Sequence, residues 1–121
     1  MNISMYQVDV VTNAGGVYTS EVIQKRGILM RISYKPSGTP LDTLSDLSIT
    51  ETNTGLNIYT QADIGLTAFT KLPRAPICPN TTGVDSSTVF DYVPTATKLT
   101  LSITQGGNVK SGTFYLFFGE L

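Results

Sequence analysis

The chain has no histidine, no tryptophan and a single cysteine, Cys78. Without histidine it lacks the usual general base near neutral pH, the commonest metal ligand and every Ser-His or Cys-His catalytic pair. No phosphate loop, dinucleotide fingerprint or zinc spacing occurs in it either. The sequence therefore predicts a non-enzymatic protein with no cofactor and no metal.

Charge is also scarce, because Asp, Glu, Lys and Arg make up only 14% of the residues and the net charge is −1. No basic excess is present to neutralise phosphates, so we expect no nucleic-acid partner. A surface rich in Thr and Ser with few charges lowers the cost of desolvation at a contact. This composition favours assembly with other protein chains.

Signals for secretion, disulfides and membrane insertion are missing too. The first residues form no signal peptide, and no apolar run approaches the roughly 18 residues of a membrane helix. A lone cysteine cannot form an internal disulfide, and Cys78 is interpreted as an inert thiol packed under a loop. The expectation is synthesis in the cytoplasm and no membrane partner.

What the sequence does contain is alternation of apolar and polar residues. Leu99, Leu101 and Ile103 alternate with polar residues, which is typical of a half-buried strand. Eight such strands are predicted, at residues 5–12, 17–24, 28–34, 47–51, 56–60, 88–93, 98–104 and 113–118. They predict one all-β domain over 1–121, a single antiparallel β-sandwich that is jelly-roll-like in strand count. Jelly-roll and immunoglobulin-like strand orders both fit.

Turn residues predict how some strands connect. Gly/Asn-rich turns at 13–16, 53–55 and 106–108 indicate hairpins, the last of them spanning 97–119. The final strand is apolar on both faces, because Tyr115 and Phe117 lie opposite the face of Phe114. Either the long loop or another subunit is expected to cover that second face.

Residues 61–87 show no periodicity and contain three prolines, which predicts a long irregular loop. Its apolar residues either cap the sandwich or form an interface. The N-terminal arm is the other interface candidate, since free termini are poorly ordered unless tied down. The predicted protein-interface residues of the two segments are Met1, Ile3, Met5, Leu66, Phe69, Leu72, Pro73, Arg74 and Ile77.

The remaining chemical candidates are better explained by ordinary structural roles. Asp42, Asp46 and Glu51 lack the spacing of a calcium loop and are interpreted as solvated turn carboxylates. Asp91 is expected on the outer face of a strand, with no partner base. The tyrosines and phenylalanines follow strand periodicity, which favours core packing over a sugar-binding platform.

The C-terminal quarter resembles a known group of proteins. Residues 106–113, with the letters GGNVKSGT and running into Tyr115-Leu116, are similar to the end of small all-β virion proteins of tailed bacteriophages. The strands RISYK (31–35) and LSIT (47–50) fit the same outline through strand order. The resemblance implies a head decoration (cement) protein, often jelly-roll-like, that binds the capsid exterior as a dimer or trimer. It implies no particular site residues.

The resulting functional expectation is a virion structural protein that bridges and stabilises neighbouring major capsid subunits. Its loop and arm would supply the contacts, repeated many times over a shell. Two alternatives remain: a tail, neck or receptor-binding module of a phage particle, and an enzyme that uses Asp42 or Asp46.

Overall fold

The computed structural model of the chain describes residues 2–25, 27–76, 83–85, 90–92 and 98–120. Among these residues it contains β-strands and no helix. The strands are β1 (Ile3–Val11), β2 (Tyr18–Thr19), β3 (Ile23–Gln24), β4 (Ile28–Pro36), β5 (Asp46–Glu51), β6 (Asn57–Gln61), β7 (Phe69–Lys71), β8 (Ala75–Pro76), β9 (Phe90–Asp91), β10 (Lys98–Thr104) and β11 (Ser111–Gly119).

Two antiparallel sheets form a sandwich, as the sequence predicts. The first sheet has the order β1-β11-β4-β7, and the second has the order β2-β10-β5-β6, with β3 also pairing to β10. Because β2 and β3 both lie along β10, they are two pieces of one edge strand. Most consecutive strands cross from one sheet to the other, and within the described part of the two sheets β5 and β6 pair as a hairpin. This is the jelly-roll order.

The predicted hairpin over 97–119 is wrong. Strand β10 pairs with β5, whereas β11 pairs with β1 and β4 in the other sheet. The turn at 13–16 likewise joins the sheets, and Gly106 donates its amide to the Gly16 carbonyl at 2.8 Å. Alternation identifies the buried face of a strand but does not identify the strands that pair with it. In the sequence, two consecutive strands that face each other across the core therefore have the same pattern as a hairpin.

The core lies between the sheets and consists of the alternating residues that the sequence singles out. Leu99, Leu101 and Ile103 of β10 are fully buried, and they face Phe114, Leu116 and Phe118 of β11. Burying an apolar side chain of this size contributes about 1.5–3 kcal/mol. The outward residues of the first sheet are therefore free for other contacts.

One strand deviates from its predicted faces. The sequence places Ile28, Met30, Ile32 and Tyr34 of β4 on one side, but Leu29 is buried in place of Met30. The register with β11 shifts between Phe117 and Phe118, which leaves Met30 as an extra residue on β4. Such a β-bulge re-aims side chains, and here it directs Met30 away from the core centre.

The segment 61–87 is more regular than predicted. It contains β7, which is the fourth strand of the first sheet, and β8, which pairs with β9 in a separate ribbon. Of the predicted strand at 88–93, the structure describes residues 90–92. Phe90–Asp91 form β9, which pairs with β8 and with neither sheet of the sandwich. Strands of two or three residues are too short to show a period, so the sequence gives no sign of β7.

Within the described residues there is no helix of the length and apolar character needed to cross a membrane.

Candidate protein-interaction site

The N-terminal arm is a strand, not the free arm expected from the sequence. Ile3 and Met5 belong to β1 and pair with Gly119 and Phe117 of β11. Alternation along β1 directs Val8 into the core and turns Ile3 and Met5 to the outer face of the first sheet. There they are 63% and 48% exposed, respectively. Both predicted interface residues are therefore held on a rigid surface.

Phe117 lies on the same outer face, next to Met5 across the strand pair. Its ring is half-buried, and the guanidinium carbon of Arg31 lies 3.8 Å from the ring centroid. Arg31 is directly opposite Phe117 on β4, so the two strands place the cation over the ring. A cation–π contact at an exposed site contributes about 0.5–1 kcal/mol.

A shallow groove beside this pair is completed by the end of β7 and by the bulge. It has a volume of about 200 Å³ and is lined by Ile3, Met30, Arg31, Leu72 and Phe117. Leu72 is 56% exposed. These five residues together with Met5 form a surface that we call the outer-face patch.

The outer-face patch carries one positive charge among its apolar side chains. Arg31 forms no ion pair with any residue that the structure describes. The other half of the same face is mainly polar and contains hydrogen bonds of its own, for example Thr113 to Asp9 at 3.2 Å and Ser33 with Thr70 at 3.1 Å. The patch therefore combines exposed apolar side chains with one uncompensated positive charge.

Two predicted interface residues of the loop point into the molecule. Phe69 packs edge-on against Tyr34, with ring centroids 5.6 Å apart, and Pro73 is buried. They cap the sandwich, which is the alternative that the sequence left open for this segment. Neither contributes to the exposed surface of the outer-face patch.

Arg74 and Leu66 lie elsewhere. Arg74 donates to the Tyr92 hydroxyl at 3.1 Å and stacks on that ring at 4.3 Å, so it holds β8 and β9 together. Leu66 lines a separate cleft of about 360 Å³ with Asp42 and Leu44. Met1, Ile77 and Cys78 lie outside the described residues.

The acidic candidates do not converge. Asp46 and Glu51 are the first and last residues of β5, which separates them by about 17 Å. The Asp63 amide donates to Asp46, and the Thr54 hydroxyl donates to Glu51. Among the described residues no group of three or more acidic or cysteine side chains is placed to hold a metal ion. These contacts are those of turn carboxylates.

Three residues of the outer-face patch were not predicted as interface residues. Phe117 has a signal in the sequence, since the last strand is apolar on both faces. Arg31 is one of two charged residues in β4, the other being Lys35, and no sequence pattern shows that Arg31 lies among apolar neighbours. Met30 depends on the bulge and has no sequence signal.

The chain matches no protein-family model, and no curated protein matches its sequence. The interpretation of the outer-face patch therefore depends on its own geometry and chemistry.

Proposed function

We propose that the chain is a non-enzymatic structural protein of a virus particle, a decoration (cement) protein that binds the major capsid protein of a tailed bacteriophage. The sequence resemblance at residues 106–116 supports this class of protein. The jelly-roll sandwich is compatible with it. The observation that carries the proposal is the outer-face patch.

An apolar patch on a rigid sheet is a surface suited to a protein contact. The inner side chains of the first sheet already fill the core, so the sandwich does not use Ile3, Met5 and Leu72 for its own packing. Contiguous exposed apolar residues of this kind mark interaction sites. Arginine and aromatic residues surrounded by apolar contacts are typical of interface hot spots.

The charge of the outer-face patch defines the partner surface. Arg31 has no acidic partner among the described residues, so its burial at a contact requires a carboxylate on the other side. The complementary surface is a ring of apolar side chains around one Asp, Glu or C-terminal carboxylate. We assign this surface to the shell-forming capsid subunit, on the capsid exterior.

The mechanism is non-catalytic clamping. Each copy contacts neighbouring shell subunits through few residues, and repetition over the shell raises the total strength through multivalency. Dimers or trimers of the chain would bridge more subunits, and light scattering of the purified protein measures that state. Because the contact contains one charge, we expect binding to change little with moderate salt.

The test is co-sedimentation with shells that lack this protein. Replacing Met5 and Leu72 by serine removes apolar area from the outer-face patch without touching the core. We expect shell binding to weaken by at least about tenfold, or about 1.4 kcal/mol, while the circular dichroism spectrum is unchanged.

A matched control replaces Val22 and Leu56 by serine, because these side chains are similarly exposed, at 43% and 57%, but lie outside the outer-face patch. The control should bind as the unmodified chain does. Equal binding by both variants, or a steep loss of binding on going from low to physiological salt, would contradict the proposal.

A further inference from the structure

The edge of β1 is the longest regular strand edge of the sandwich. Its nine residues pair with β11 in one uninterrupted register. No described strand pairs with its other side, and no hydrogen bond from a described residue reaches the backbone of 3–11 there. A row of unpaired amides and carbonyls is a ready template for another strand.

The other edges of the sandwich are blunted. Strand β7 has three residues, ends in Lys71 and is followed closely by Pro73. Strands β2 and β3 have two residues each and are separated by a break. The pairing of β6 with β5 contains a register shift. Shortness, charged side chains, proline and bulges are the devices that prevent edge pairing. Strand β1 is long, has no proline or bulge, and carries one charge, Asp9.

An acidic groove follows the β1 edge. It has a volume of about 190 Å³ and is lined by Tyr6, Gln7, Val8, Asp9, Tyr18, Ser20 and Glu21. Burial, then the charges of Glu21, Tyr6 and Asp9, raise the pKa of the Tyr18 hydroxyl in this groove. No lysine or arginine of the described part of the chain lines the groove.

The Asp9 carboxylate keeps a free acceptor in this groove. Gln7 and Thr113 both donate to its Oδ1, at 3.0 and 3.2 Å. Its Oδ2 accepts no hydrogen bond from the described residues. The groove therefore offers a negative charge beside an unpaired backbone edge.

We propose that the β1 edge binds an extended segment of another protein chain, and that this segment carries a lysine or arginine opposite Asp9. Main-chain hydrogen bonds along β1 would give affinity, and the acidic groove would give specificity. A second copy of this chain pairing through β1 does not supply that cation, because residues 3–11 contain no lysine or arginine. This interaction uses the backbone edge of β1 and the acidic groove, whereas the outer-face patch uses the side chains of Ile3 and Met5 on the same strand. It does not depend on the capsid role.

The probe is a capped nine-residue peptide of alternating valine and threonine with one central lysine. The matched control peptide has glutamate in place of that lysine. Hydrogen exchange of the backbone amides is followed by nuclear magnetic resonance. We expect the lysine peptide to slow exchange of the β1 amides that point away from β11 by at least about tenfold, and the glutamate peptide to leave them unchanged.

Variants of the chain test the charge separately from the edge. Asp9→Lys should abolish the protection, and Glu21→Gln should weaken it severalfold while leaving the strand intact. Asp85→Lys, a charge reversal at an exposed residue away from the groove, should leave it unchanged. The proposal is overturned if the two peptides protect β1 equally, if the protection appears at β6 or β7 instead, or if neither Asp9→Lys nor Glu21→Gln reduces it.

Discussion

Tyr34 is the residue at which packing and polar chemistry conflict most. Its ring stacks on Phe114, with centroids 4.8 Å apart, and is almost fully buried. Its hydroxyl has no hydrogen-bond partner among the described residues. Burial raises the pKa of this hydroxyl, and the backbone amide of Leu41, which approaches without good hydrogen-bond geometry, offsets that rise in part.

Tyr34→Phe should therefore leave the fold as stable or make it more stable, by up to about 1 kcal/mol, because it removes an unsatisfied buried hydroxyl. Denaturant unfolding at neutral pH measures this change. A loss of more than about 1 kcal/mol would show that the hydroxyl is hydrogen-bonded after all.

The same variant makes a prediction about pH. The pKa values of Tyr18, Tyr34 and Tyr59 are raised in the folded chain, so the unfolded chain loses these protons first as pH increases. Stability should be unaffected by these groups well below pH 10, where both states are protonated, and should fall above it. Tyr34→Phe should make this alkaline decrease less steep.

At the scale of a single element, β11 has two faces with different roles. Phe118 is fully buried between the sheets, whereas Phe117 lies on the outer face under Arg31. Two adjacent phenylalanines on one strand therefore have different roles: Phe118 packs in the core, and Phe117 forms part of the outer surface.

Phe118→Ala should destabilise the fold by about 3–5 kcal/mol, because it leaves a cavity in the core. Phe117→Ala should cost only about 1 kcal/mol, since it removes a partly exposed ring and one cation–π contact. Guanidinium unfolding curves of the two variants give the comparison. Similar losses would mean that the outer face of β11 is part of the folding core.

The sequence predicts which side of a regular strand is buried, but it does not predict which strands pair with each other. The buried side of β10 follows from period-two alternation in a single strand, whereas β11 is apolar on both faces and its buried side does not. The pairing of β1 with β11 depends on two segments about as far apart as the chain allows, and no local pattern encodes it. Strand β7 and the bulge at Met30 are shorter than any detectable period.

The interface residues show the same limit. Ile3, Met5 and Leu72 were predicted because they are apolar residues in segments thought to be irregular. The structure brings them together for another reason, since all three border the outer face of the first sheet. Phe69 and Pro73 satisfied the same sequence criterion but face inward, because sequence alone does not give the direction of a loop side chain.

At the scale of the whole molecule, the sandwich has an apolar core, one partly apolar outer face and few charges. With a net charge of −1, the chain has little long-range electrostatic attraction or repulsion toward other proteins. Contact area and shape must then determine what it binds. This combination suits a protein that occurs in many copies on a repeating surface.

Quantitative mass spectrometry of purified virus particles tests the central proposal most directly. A capsid decoration protein must be present in a copy number comparable with that of the major capsid subunit. A copy number far smaller, matching a tail or neck ring, would contradict decoration and favour the alternative of a tail, neck or receptor-binding module. Absence of the chain from particles would contradict a virion role altogether.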